Sequence, residues 1–292
     1  MDIYQLYYRY SYIKTNHIIY YKLEKPEDIK KKIINLISEK EIKTSSFEIK
    51  KVLFNKYFLK KNISTLLIKE LVEEGALEYT NMFGRTFLEL SYQKPIHVSD
   101  QVVLKPPHIK YNPKPGEKII NLNQGISFGN GSHSTTRLCI RGIEKAWKCR
   151  YINTTGSNAL DIGTGSGVLA ITSIMFGVEK ATGIDKDQCS IKEARDNVRL
   201  NCFQDRIKIK ETTIENINTK FTLISANLRM PTIKELYSKI NEITNINGCV
   251  VISGIKKYEM KGVRDLYCKK HFDCIWSDTQ KDWSVILLRK TS

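Results

Sequence analysis

The chain has 292 residues, 41% of them apolar, and its 47 lysines and arginines against 31 aspartates and glutamates give a formal charge of +16. That length and apolar content bury a full core and predict two domains, while the charge favours an acidic partner such as RNA, DNA or a ribosomal surface. No apolar run reaches the roughly 18 residues a membrane span needs, and the seven scattered cysteines hold no C-x-x-C pair, which argues against a structural zinc site, and no metal is expected. Their odd number, with no signal peptide, predicts reduced thiols in a cytoplasmic protein.

Ile3 to Leu23 carries seven tyrosines in two β-prone runs, Ile3 to Ile13 and His17 to Leu23, and the Lys14-Thr15-Asn16 turn between them predicts a hairpin. Its tyrosines suit packing of one face against the next domain; stacking on nucleic-acid bases is the alternative. Pro26-Glu27-Asp28 opens a helix with Ile29, Ile33, Ile34 and Ile37 at helical spacing. Thr44 or Ser45 caps a second helix running through Phe54, and Asn62 or Ser64 caps a third that carries Leu67, Leu71 and Val72 and ends at Gly75. Ala76 to Thr80 and Thr86 to Leu90 alternate across an Asn81-Met82-Phe83-Gly84 turn. The order resembles a winged helix with Ser64 to Glu74 in the place of the recognition helix. Glu70, Glu73 and Glu74 there would repel phosphate, so a protein-docking role is at least as well supported as DNA reading.

Pro95 to Gly125 holds five of the seven prolines and the basic residues Lys105, Lys110, Lys114 and Lys118, and reads as a linker or strand pair. The charge surplus is densest over 101–150 and nearly absent over 151–200. Phe128-Gly129-Asn130-Gly131-Ser132-His133-Ser134-Thr135-Thr136 then precedes an amphipathic helix from Arg137 to Trp147. Glycines and small hydroxyl residues ahead of a helix make a loop ending in N–H donors, suited to closing over a polar ligand. From there strands and helices alternate, with strands expected at 158–162, 180–185, 207–211, 221–228, 249–255, 274–280 and 283–290, the last two as an antiparallel hairpin. This is the pattern of an open α/β sheet with helices on both faces and ligands at the strands' C-terminal edge.

The first of these strands, Asn158 to Ile162, runs into Gly163-Thr164-Gly165-Ser166-Gly167 and an apolar helix, Val168 to Phe176. Glycines admit positive φ and a close backbone approach by a ligand. A dinucleotide fingerprint needs a small residue where Val168 stands. The next strand ends at Asp185, 22 residues after Gly163, where a carboxylate can accept both ribose hydroxyl protons; Asp187 reads as the start of the following helix. The strand Phe221 to Ala226 ends at Asn227-Leu228-Arg229, beside the first strand.

With Asp161 two residues before Gly163, the Gly163-x-Gly165-x-Gly167 spacing resembles the first motif of class I methyltransferases, whose fold is a Rossmann-like seven-stranded sheet. That likeness implies S-adenosylmethionine as cofactor, its methionine end held by the turn of Asp161, Gly163, Gly165 and Gly167. The Phe128 to Thr136 loop resembles the F-G-T-G-x-H-x-T-T signature of the ribosomal protein methyltransferases called PrmA, which trimethylate amino groups on the stalk-base protein L11. The likeness extends through Pro95 to Pro107, Ala159 to Gly167, Gly183 to Asp187, Asn197 to Asn201, Ala226-Asn227-Leu228, Ser253-Gly254-Ile255 and Trp283 to Arg289, about two thirds of the chain.

The resemblance implies that Thr136, Gly163, Asp185 and Asn227 contact the cofactor, that Asn227 faces the transferred methyl, and that the substrate is a protein, ribosomal in that family. His133 either positions the target or holds the loop. Two departures from the signature, Asn130 and Ser134, fall in the loop. Residues 1–94 do not look like the family's ferredoxin-like docking domain and are expected to form a smaller α+β substrate-docking domain, followed by a linker over 95–125 and the methyltransferase domain over 126–292. Two other readings stand beside this one. An RNA methyltransferase would hold nucleic acid on the basic surface, although Leu228 and Arg229 replace the prolines usual for planar-nitrogen substrates; a binding module without catalysis would have no use for all four cofactor positions.

Overall fold

The computed structural model describes residues 12–15, 18–21, 25–39, 44–82, 85–91, 94–123, 125, 127–129, 131, 133–152, 155–269 and 271–292. It divides into two compact units, Met1–Lys94 and Pro95–Ser292.

In the first unit, β1 (Tyr12–Thr15) pairs antiparallel with β2 (Ile18–Tyr21). The strand thus runs through Lys14 and Thr15, which the sequence reading assigned to the turn. The expected strand residues Ile3 to Ser11 lie outside the described residues. Helices α1 (Pro26–Glu39), α2 (Ser46–Tyr57) and α3 (Lys61–Glu73) follow, then the hairpin of β3 (Leu77–Met82) and β4 (Arg85–Leu90). Ser45 caps α2 through a reciprocal pair: its hydroxyl accepts the Glu48 N–H while the Glu48 carboxylate accepts the Ser45 N–H. The third helix departs from expectation. Neither Asn62 nor Ser64 caps it; the helix begins at Lys61, and Ser64 is buried inside it with its hydroxyl donating to the Lys60 carbonyl. Ile33, Leu53, Leu67, Leu71, Leu77 and Leu88 close this unit's own core. On its helices Lys30 is ion-paired with Glu70 and Glu74, so two of the three carboxylates expected to repel phosphate are engaged by a lysine.

The second unit opens with β5 (Ile96–His97), β6 (Val102–Lys105) and β7 (Lys118–Asn121), a three-stranded sheet. Of the two expectations for 95–125, a linker or a strand pair, the strands are found, three in place of two, and the linker is not. Val102, Val103 and Leu104 are buried, and Val102, Leu104 and Ile120 share one hydrophobic core with the helices and strands that follow. Pro95 precedes β5 and the other four prolines fall between β6 and β7, where no ladder hydrogen bond is lost.

The main sheet is built from β8 (Asn158–Ile162), β9 (Lys180–Asp185), β10 (Ile207–Glu211), β11 (Phe221–Asn227), β12 (Thr244–Lys256), β13 (Phe272–Gln280) and β14 (Trp283–Lys290), in the order β10-β9-β8-β11-β12-β14-β13. The first five strands in that order are parallel, and β14 runs antiparallel to both neighbours. This is the class I methyltransferase fold. Five strands were located to within a residue at each end. β12 starts five residues early because Thr244 pairs with Phe221 before an irregularity that passes through Asn247, whose φ is 63°.

Period-two alternation divides the strands between two helical layers. Ala159, Leu223, Val251 and Leu287 face α4 (Ser134–Lys148), α5 (Val168–Met175) and α6 (Gln188–Leu200); Leu160, Ile224, Val250 and Ile286 face α7 (Met230–Glu235), α8 (Tyr237–Ile243) and α9 (Met260–Cys268). α4 starts three residues before the predicted Arg137, which draws Thr135 and Thr136 out of the loop and into its first turn. Its Gly142 lies flat on the sheet, where a Cβ would come 2.7 Å from Val251 Cγ1. We expect Gly142→Val to cost about 1–3 kcal/mol through overpacking, seen as a lower urea midpoint with an unchanged slope; an unaltered midpoint would contradict this packing.

Candidate functional site

The site forms where β8, β9 and β11 end. Because strand β8 places Asp161 on the buried α4–α5 side, its carboxylate is 2% exposed and needs partners within the protein. Thr164 Oγ1 donates to Oδ2 at 2.7 Å and Ser225 Oγ on β11 donates to Oδ1 at 2.8 Å. One side chain thereby ties the loop to two adjacent strands. Burial pushes the Asp161 carboxyl up to about 6; the hydrogen bonds from Thr164 and Ser225 oppose that rise, and the charge of Asp185 adds to it.

Gly163, Gly165 and Gly167 all have positive φ, at 67°, 52° and 81°. Two of them also sit where a side chain has no room: a Cβ on Gly163 would lie 2.8 Å from Leu228 Cδ2, and one on Gly165 2.5 Å from the Phe128 carbonyl oxygen. That carbonyl accepts the Ser166 N–H at 2.9 Å, so the glycine turn and the Phe128 segment are joined backbone to backbone.

Asp185 at the end of β9 is half-buried, and its carboxylate accepts the N–H groups of Gly165 at 3.0 Å, Lys186 at 2.8 Å and Asp187 at 3.1 Å. Asp187 caps α6 by accepting the Ser190 N–H at 2.9 Å, which separates the two aspartates by role.

Upstream, His133 is the N-cap of α4, its Nδ1 accepting the Thr135 N–H at 3.2 Å. Its ring packs at 5.2 Å from that of Phe128 and edge-on at 4.9 Å from Trp283. Trp283 in turn has the Arg229 guanidinium 5.0 Å and the Lys256 ammonium 3.9 Å from its ring centre. Asn130 lies outside the described residues. Thr136 is 1% exposed, and among the described residues neither Thr136 Oγ1, Ser166 Oγ nor Asn227 Oδ1 has a hydrogen-bond partner. Unpaired buried polar atoms are costly, and these three, on the first turn of α4, in the glycine turn and at the end of β11, are available to a polar ligand.

The loop has further supports on α6: Asn197 to Asn201 carries the family likeness but no role in the sequence, and Glu193 carries neither. Asn197 on α6 is fully buried and bridges two segments: Nδ2 donates to the Ser166 carbonyl at 2.9 Å while Oδ1 accepts the Asn123 N–H at 3.0 Å. Four residues on, Asn201 exchanges hydrogen bonds with the Asn121 backbone. Glu193 accepts the Ser127 N–H. The spacing of Glu193, Asn197 and Asn201 along one helix face was the available signal.

The family described as Ribosomal protein L11 methyltransferase (PrmA) matches residues 22–291. The ribosomal protein L11 methyltransferase of Acetivibrio thermocellus is 31% identical over 199 residues, 68% of this chain and 61% of the relative. That of Alkaliphilus oremlandii is 32% identical over 197 residues, 67% of this chain and 61% of the relative. The chain therefore spans 61% of the length of the curated relatives it matches. The crystal structure of ribosomal protein L11 methylase from Lactobacillus delbrueckii subsp. bulgaricus is similar with a TM-score of 0.60 and 26% identity, covering 68% of this chain and 99% of that one.

The raised Asp161 carboxyl sets a pH dependence. Folded protein binds this proton more tightly than unfolded chain, so the ionised group costs stability at pH 7, and the cost is relieved as pH falls through about 6 toward the ordinary carboxylate range. Asp161→Asn cannot ionise and receives no such relief. Between pH 7 and pH 5 the difference in unfolding free energy between the two proteins should move in favour of the wild type by roughly 1 kcal/mol. A pH-independent difference in paired urea titrations would show that Asp161 is not held in this way.

Proposed function

Because this chain belongs to the ribosomal protein L11 methyltransferase (PrmA) family, we propose that it is an S-adenosylmethionine-dependent protein methyltransferase whose substrate is an amino group, a lysine side chain, on a ribosomal protein. The observation that carries this reading is the strand-edge cradle: three positive-φ glycines, a carboxylate at the end of the next strand, and buried unpaired oxygens on Thr136, Ser166 and Asn227.

These residues fit the cofactor's chemistry. When bound, it supplies an electrophilic methyl group on a sulfonium. Asp185 takes the ribose hydroxyls; a carboxylate has about four acceptor directions, and three N–H groups already use them, so one loop contact is given up on binding. The Thr136 hydroxyl and the N-terminal turn of α4 offer donors to the carboxylate end. Gly163 and Gly165 allow the backbone to be approached, and Gly167 starts α5 beneath them. Asp161 acts from below, as a buried negative charge that fixes Thr164 and favours the cofactor's cationic end.

Asn227 Oδ1 is the acceptor that orients an amine N–H at the end of β11. No side-chain base is required, since a lysine amine releases its proton to solvent on the way in; alignment and exclusion of water supply the rate. His133 is a positioning residue, clamped between Phe128 and Trp283 as the helix cap. In the first unit, α2 exposes Phe47 and Phe54 on one face, with Phe58 just beyond its end, and we read residues 1–94 as the substrate-docking domain.

Replacing Asp185 with alanine removes charge-assisted hydrogen bonds and should weaken S-adenosylhomocysteine binding roughly 10–100-fold in calorimetry, with the far-ultraviolet spectrum unchanged. Unchanged affinity would refute the assignment of this site. Asn227→Ala should lower the rate of methyl transfer to ribosomal proteins more than it lowers cofactor affinity. Mass spectrometry of ribosomal proteins from cells with and without the gene identifies the substrate, and an absence of any mass difference in 14-Da steps would count against a ribosomal target.

A further inference from the structure

A second feature lies at the opposite end of the same strands. Between β10 and β11 the chain crosses with only a single 3-10 turn, Ile214–Asn216, where parallel strands are ordinarily joined by a full helix. Helices α7, α8 and α9 cover the far side of β11, β12, β14 and β13, but over β9 and β10 that face has no helix, only the crossover residues Ile214 and Ile217, which share a buried cluster with Ile184. The face forms a groove of about 450 Å³ along the N-terminal edge of β8, β9 and β10.

The groove is lined by Lys180, Arg206, Lys208 and Lys210, with Asp205 as the one carboxylate in the lining. Alternation explains the cations. Ile207 and Ile209 point into the α5–α6 core, which obliges Lys208 and Lys210 to emerge together on the other face. Lys208 lies directly beside Thr182, and Lys180 beside Asn158, in the strand registers.

These charges are not neutralised within the protein. Among the described residues no carboxylate forms an ion pair with any of the four. The Arg206 guanidinium is fixed by backbone carbonyls, those of Val178 at 2.7 Å and Glu179 at 3.1 Å, which orient it and leave its charge unopposed. The same edge continues past Lys220 to Lys290, whose buried ammonium donates to the carbonyls of Asn241 and Thr244. Burial, and to a lesser extent the nearby Lys220, hold that ammonium below the ordinary lysine range.

We propose that this groove binds the phosphate backbone of an RNA strand. Lysines two apart on a β-strand stand about 7 Å apart, a spacing of the same order as that between successive phosphates on a nucleic-acid strand. Thr182, Asn218 and Thr219 also line the groove and suit phosphate and sugar oxygens. The lining offers no aromatic platform on its floor beyond buried Phe221, so the contact reads backbone and not base. β8 spans the distance from Asn158 at the groove to Gly163 at the proposed cofactor turn, about 16 Å. An RNA seated here leaves the opposite edge open, so binding is independent of whether the methyltransferase reading holds.

The test measures binding of a fluorescein-labelled 12-nucleotide oligouridylate to the full chain by anisotropy, without cofactor, across 50–200 mM potassium chloride. The wild type should bind with a strong salt dependence. K208Q/K210Q should bind at least about tenfold more weakly at the lowest salt, with the log–log salt slope reduced by roughly 1.4, or 0.7 for each lost phosphate contact. K257Q/K261Q, which removes the same charge from exposed positions elsewhere, should lose less than twofold. Equal loss in both double variants would reduce the effect to net charge and overturn the proposal. So would displacement of the oligonucleotide by polyglutamate at equal charge concentration, which would make the groove a general polyanion surface. A matched thermal melt for K208Q/K210Q excludes loss of fold as the cause.

Discussion

A carboxylate buried one residue before the end of the first core strand governs the rest of the site. Asp161 can be buried because Thr164 and Ser225 satisfy both of its oxygens, and in doing so it fixes the turn after β8 to the strand beside it. The three glycines keep their left-handed backbone only while that turn stays closed. The Phe128 carbonyl, the Asp185 carboxylate and the Asn197 amide each bind a backbone group of the same turn. Remove the anchor and four segments distant in sequence lose their common reference.

Much of this was legible in the residues. The sheet could be read because parallel strands buried on both faces appear as short apolar runs, and because Gly163 to Gly167 and Asp185 fall at the strand ends where such folds place their chemistry. Legibility failed where the cause was tertiary. Nothing local shows that Val102 to Leu104 belong to the core of the second unit, because their partners are helices and strands further along the chain. The cap of α4 was misplaced by three residues since His133 is not a favoured capping residue. Ring contacts with Phe128 and Trp283 hold it there. Ser64, a good cap by composition, is carried inside α3 because that helix must bury Leu67 and Leu71 in register.

The two edges of the main sheet differ in what they expose. At the C-terminal edge the strands end in acids, glycines and an asparagine, with unpaired oxygens turned inward. At the N-terminal edge stand Lys180, Arg206, Lys208 and Lys210, none of them ion-paired among the described residues, with Arg206 held by two backbone carbonyls. The first arrangement suits a small cation with hydroxyl groups and the second a chain of anions. A net charge of +16 is therefore not spread evenly over the fold. Asp161, Asp185 and Asp187 gather at one edge of the main sheet and Lys180, Arg206, Lys208 and Lys210 at the other, while the densest surplus along the sequence lies over 101–150.

The amide pairs on α6 also constrain the order of assembly. Asn121 is held by Asn201, and Asn123 by Asn197, across 80 and 74 residues of intervening sequence. On a ribosome that releases its product from the N-terminus, β7 can pair with β6 at once, but Asn121 and Asn123 gain these amide partners only after α6 has emerged. The Phe128 carbonyl likewise meets the Ser166 N–H only once β8, which lies between, has been synthesised.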